Sequence, residues 1–179
     1  LRRHPSSLVY APLLYGAALV GCLDQSQGDP APVVEELIRP VPSVELLGPV
    51  SDHADLLAPA AEQAIGQKLV ELEQATGHQM VVVTVGSLEG REIADYTTDL
   101  GNAWGIGREG IDDGVILLVA PNERKVRIAV GNGLEEALSD DFCSAVIQNA
   151  ILPDFRLDDY FSGIVAGTDA LIERLKEQG

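Results

Sequence analysis

A chain of 179 residues is long enough for one ordinary domain and a tail, and too short for two large domains. Its 28 acidic and 12 basic residues give a net charge of -16. That balance argues against nucleic acid as a partner, since phosphates demand lysine and arginine, and it suits a solvated acidic surface or a site for cations.

The opening stretch, LRRHPSSLVYAPLLYGAALVGC, places Arg2 and Arg3 ahead of an apolar run from Leu8 to Val20. A charged start followed by a short apolar segment is the pattern of an export signal. The run falls short of the ~20 apolar residues that span a bilayer. It closes on Leu19-Val20-Gly21-Cys22, which resembles the bacterial lipobox, in which cleavage precedes a cysteine that then carries lipid. Residues 1–21 are therefore expected to be a signal peptide of lipoprotein type, with Cys22 the lipidation site; an ordinary signal peptide with an incidental cysteine is the alternative. The expected location is the bacterial cell envelope, exported and lipid-anchored to a membrane. With Cys22 so used, Cys143 has no disulfide partner and reads as a half-buried helix residue. The three histidines are scattered, and no zinc spacing or nucleophile elbow is present.

Prolines 30, 32, 40, 42 and 49 punctuate a stretch without periodicity, so residues 22–48 read as an extended tether and the domain as 49–179. Within it, Ala61, Ile65, Leu69 and Leu72 form one helical stripe over 59–76, with Gly77 as the stop. QMVVVTV at 79–85 reads as a strand buried on both faces. Ile93, Tyr96, Leu100 and Trp104 then repeat at helical spacing, with Trp104 expected inside. A glycine-rich loop leads into the apolar strand 114–120. After a short turn, RKVRIAV at 124–130 alternates as a strand near the sheet edge.

Ser139 has the character of an N-cap, with Asp140 and Asp141 in the first turn, where the helix dipole favours acids. Phe142, Val146, Ala150 and Ile151 supply that helix's apolar face, and Pro153 is expected to end it. A final helix from about Leu157 carries Phe161, Ile164, Val165, Thr168, Leu171, Ile172 and Leu175. The strand-helix-strand unit predicts parallel pairing, and the short turn makes the next strand antiparallel. The fold class is therefore α/β, a central mixed sheet flanked by helices on both faces.

Acid beside a buried strand is costly unless something answers the charge, and GIDDGVILLVA at 110–120 places two aspartates there. A hairpin turn of three or four residues brings Asp112 and Asp113 opposite GNGLEE at 131–136, with Asp140 and Asp141 a little further on. Such an oxygen-rich cluster either binds a hard divalent cation, calcium or magnesium, or is a solvated strand start with helix-capping acids. The candidate ligands are Asp112, Asp113, Glu135, Asp140 and Asp141.

The segments WGIGREGIDDGVILLVAPNERKVRIAVGNGLEEALSDD and ILPDFRLDDYFSGIVAGTDAL, with VSDHADLL upstream, closely resemble the TPM domain over about residues 49–177. The resemblance implies a three-layer α/β/α sandwich, often exported or membrane-tethered. Relatives include a thylakoid-lumen protein tied to photosystem II repair and an accessory protein of acetylcholine receptors. Some members are described as acid phosphatases, and some as binding calcium or other divalent cations through an acidic site. Where the family commonly has Asp-Asn-Gly, this chain has Asp112-Asp113-Gly114, one charge more. Two functions follow as expectations. The first is an envelope-anchored interaction or accessory module with a divalent-cation site and an unidentified envelope protein as partner. The alternative is a metal-assisted acid phosphatase acting on phosphate esters in the envelope, with catalytic residues unassigned. Against turnover stands the acidity of the domain, which repels anionic substrates, and the lack of a phosphate-cradling loop; Arg108 is the one cation noted in the glycine-rich loop.

Overall fold

The computed structural model describes residues 42–177. The signal segment, Cys22 and almost all of the tether lie outside the described residues. Strands β1 (Val50–Asp52), β2 (Gln79–Thr84), β3 (Gly114–Ala120) and β4 (Lys125–Val130) form one sheet in the order β1-β2-β3-β4. Helices α1 (Pro59–Thr76), α2 (Ile93–Trp104), α3 (Asp140–Val146), α4 (Leu152–Phe155) and α5 (Tyr160–Lys176) surround it. No helix among the described residues is long and apolar enough to cross a membrane.

The unbroken apolar runs of β2 and β3 are explained by two cores. Successive side chains point to opposite faces, so a strand covered on both sides is apolar throughout. Met80, Val82, Val115, Leu117 and Val119 face α1 and α5, against Leu69, Leu72, Ile164 and Leu171. Val81, Val83, Ile116 and Leu118 face α2, against Tyr96 and Leu100. The result is the mixed α/β/α arrangement expected, with β2 and β3 parallel from Gln79↔Gly114 to Thr84↔Val119, and β3 and β4 antiparallel. Ala120 pairs with Lys125, so the hairpin turn has four residues. Strand β1, three residues long, pairs parallel to β2 at Val50↔Val82. It is too short to show alternation, and the sequence pattern does not reveal it.

Three expectations need correction. Trp104 is half-buried, since it is the last residue of α2 and keeps one edge in water while Nε1 donates to the Val44 carbonyl at 3.3 Å. Pro153 does not end the helix. The chain passes through a wide π turn at Ile147–Ile151, where the Leu152 amide reaches back to the Ile147 carbonyl, and Pro153 falls in the first turn of α4, where its missing N–H is tolerated. Finally, Phe161 leaves the predicted stripe of α5 and is 46% exposed. That helix starts at Tyr160, capped by the Asp159 carboxylate, which accepts from the Ser162 amide at 3.0 Å. Gly163 lets α5 approach closely, for a Cβ there would lie 2.6 Å from the Phe155 ring.

Candidate functional site

The two loops expected to meet at the entry of β3 do meet. The Gly131 amide donates to the Gly114 carbonyl at 2.8 Å, and the Gly133 amide to the Asp112 carbonyl at 3.1 Å. A Cβ at Gly133 would collide with the Ile111 carbonyl, so only glycine permits this approach. Asp112 itself has a left-handed backbone (φ 54°) and an exposed side chain.

Asp113 is the opposite case, only 1% exposed. Its Oδ1 accepts from the Arg108 amide at 2.8 Å, and its Oδ2 from Arg108 Nε at 2.8 Å and Nη2 at 2.5 Å. His78 Nδ1 lies 3.3 Å from the same Oδ2. Around this pair the glycine-rich loop closes: the Gly107 amide donates to Gln79 Oε1 at 2.8 Å, and the Gln79 amide to the Asp113 carbonyl at 3.3 Å. Burial pushes the Asp113 carboxyl up, but the hydrogen bonds from the Arg108 side chain and amide, with help from His78, outweigh it and bring it down to about 2. The hydrogen bond to Asp113 in turn raises Arg108 further above its ordinary value. The charge beside the buried strand is therefore answered by a guanidinium.

The remaining acids stay on the surface. Asp112, Glu135, Asp140 and Asp141 are all exposed. A short 3-10 turn at Asn132–Leu134 buries Leu134 and precedes Glu135, while Asp140 and Asp141 occupy the first turn of α3 after the Ser139 cap, whose side chain accepts from the Phe142 amide at 3.3 Å. Among the described residues no three His, Cys, Asp or Glu side chains converge as a group able to hold a metal ion. The five acids therefore form no shared coordination shell: Asp113 is buried, and the other four are exposed.

Sequence reasoning missed His78 as a neighbour of Asp113. The signal was available in the parallel register: Gln79 pairs with Gly114, which places the preceding residues, His78 and Asp113, at the same level of adjacent strands. Nothing in the sequence marks Arg108 as the partner, because that contact depends on the path of the loop. Cys143 is buried and free, its thiol pushed up to about 11 by burial and by the charge of Asp140, which leaves it protonated and unreactive.

This fold and sheet end define a TPM domain. The family model described as "TPM domain" matches residues 50–174, and the chain belongs to that family. It is similar to the N-terminal domain of a protein from P. gingivalis, solved in solution, with 31% identity and a TM-score of 0.68, covering 73% of this chain and 83% of that one. The N-terminal domain of the cg2496 protein of Corynebacterium glutamicum shares the fold at 19% identity and a TM-score of 0.55, covering 75% of this chain and 81% of that one. The BA42 protein of Bizionia argentinensis does so at 22% identity and a TM-score of 0.60, covering 69% and 84%. Among curated proteins none matches.

Proposed function

We propose that this chain is an accessory module of the cell envelope, a TPM domain held to a membrane through a lipidated Cys22, which engages an envelope protein through the acidic end of its sheet. One observation carries this reading. Arg108 and His78 satisfy the buried Asp113 internally and latch the glycine-rich loop, while Asp112, Glu135, Asp140 and Asp141 are left exposed to solvent. Calcium takes six to eight oxygen ligands and magnesium six, and exposed acids that supply only some of them leave places for water or for a partner's oxygens. The cation in this reading is a bridge, weakly held until a partner completes its shell. Asp113 acts by positioning the loop and is not a ligand.

Titration with calcium chloride or magnesium chloride, followed by amide chemical shifts, tests it. Shifts should centre on residues 111–113 and 131–141. If the cation binds only the folded state, stability rises by roughly 2.7 kcal/mol at a hundred times the dissociation constant, a gain of several degrees in melting temperature. Asp112→Asn should remove most of that gain, and Glu35→Gln on the tether should not. A melting temperature unmoved by calcium, magnesium and manganese would overturn the cation. Turnover of a phosphate ester that survives purification and is lost in Asp112→Asn would replace the module reading by the phosphatase one. Anchoring is tested separately: Cys22→Ala should release the protein from membranes or leave an unprocessed precursor.

A further inference from the structure

At the opposite end of β3 from the acidic loops, about 20 Å away by strand rise, the structure holds a cavity of about 320 Å³. The β3–β4 turn and the start of β4 form one wall with Arg124, Lys125 and Val126; the segment joining α4 to α5 forms the other with Phe155, Arg156 and Tyr160. Three of the chain's 12 basic residues thus surround one cleft in a protein of net charge -16.

The state of these cations matters as much as their number. Among the described residues neither Arg124 nor Arg156 has an ion-pair partner. Lys125 makes a loose contact with Glu92 at 3.3 Å, exposed to water. Asp158, with a left-handed backbone (φ 59°), supplies the one carboxylate of the wall, so with Lys125 paired to Glu92 the two arginines leave an excess of one positive charge. Elsewhere Arg108, Arg91, Arg174 and Lys68 are engaged with carboxylates of the chain. An acidic protein repels anions at a distance, but salt screens that field beyond about 8–10 Å, and inside the cleft the nearby guanidinium groups decide. Between the cations the wall is apolar and aromatic, with the Phe155 and Tyr160 rings 4.9 Å apart.

We propose that this cleft binds a small organic anion, an oxyanion head on a single ring or short apolar body. Arg124 and Arg156 present planar forks that match the oxygens of a carboxylate or phosphate. Phe155 and Val126 receive the apolar body, and the Tyr160 hydroxyl is a further donor at the rim. The volume lies at the small end of the range for ligand pockets, which admits one ring with its head group and excludes a dinucleotide. This site is independent of the acidic end and of any cation held there.

The test uses the full chain, with phenyl phosphate and phenylacetate as probes and benzyl alcohol as the neutral control. Amide shifts should saturate with at least one anion, map to residues 119–126 and 152–160, and be absent with benzyl alcohol. Arg124→Asn with Arg156→Gln should weaken binding at least tenfold; asparagine is chosen because Arg124 sits at φ 52°. Lys68→Gln should bind as the unchanged protein does. Both arginines are exposed, so the double variant is expected to fold, and Arg156→Gln alone serves if its spectrum does not overlay. No saturable shift at millimolar anion, equal response to benzyl alcohol, or unchanged affinity in the arginine variant would each overturn the proposal.

Discussion

Two buried or half-buried aspartates at opposite ends of the sheet solve the same problem by different means. Asp113, at the entry of β3, is met by a cation, with Arg108 giving it two side-chain hydrogen bonds and one from its amide. Asp52, at the exit of β1, is met by neutral donors: the Leu56 and Leu57 amides at 3.1 and 2.8 Å and the Thr84 hydroxyl. The first clamps a glycine-rich loop, the second the turn into α1. A guanidinium tolerates an exposed position (the Arg108 side chain is 53% exposed) because water shares its charge. Amides must be positioned by the backbone itself. At the acidic end both acceptor and main donor are side chains, whereas at the other end two of the three donors to Asp52 are backbone amides that no substitution short of proline removes.

The largest effect should come from breaking the ionic side of this comparison. Asp113→Ala removes the acceptor of four donors and is expected to cost about 2–3 kcal/mol, less than a fully buried pair because Arg108 regains water. Urea denaturation measures it, and a loss under 1 kcal/mol would mean that the loop closes without its acid.

The pH dependence is next. Asp113 has a folded value of about 2, below its ordinary 3.8. A depressed carboxyl stabilises the fold above its unfolded value, and that contribution fades as pH falls from about 4 through 2. The expected loss is on the order of 2 kcal/mol, absent in Asp113→Asn, and visible in melting curves recorded at stepped pH. Identical acid profiles for the two proteins would remove the latch from the account of stability.

Asp52→Asn sharpens the neutral side. One side-chain oxygen remains to accept from an amide, so the expected cost is about 1 kcal/mol, and hydrogen exchange should quicken at Leu56 and Leu57 before it does at Gly107. Faster exchange at the glycine-rich loop instead would show that the two ends are coupled. Smallest of all should be Asp141→Asn, an exposed acid in the first turn of α3, expected within about 0.5 kcal/mol by thermal melting without added metal.

Much of the fold was legible before any coordinates because both faces of β2 and β3 are buried, and burial on two sides writes an unbroken, β-branched apolar run of strand length. Gly77, Ser139 and the alternation of β4 were legible for similar local reasons: a left-handed stop, a capping hydroxyl and a period of two. Phe161 misled because helical spacing records which side chains share a face, not whether a neighbour covers that face.

The sequence by itself determined the order of elements from α1 onward, the parallel pairing of β2 with β3 and the antiparallel pairing of β3 with β4, and the meeting of the two loops at one sheet end, since these follow from periodicity and from the shortness of the hairpin turn. Tertiary structure alone decided three further things. It recruited Val50–Asp52 as a strand, whose three residues are held by pairing with β2 and carry too few side chains to show a pattern. It carried the helix past Pro153, because the chain restarts after the π turn and Pro153 falls in the first turn of α4, where no N–H is needed. And it parted Asp113 from Asp112: adjacent residues entering a strand point to opposite sides, and the loop path from α2 brought Arg108 to the buried one.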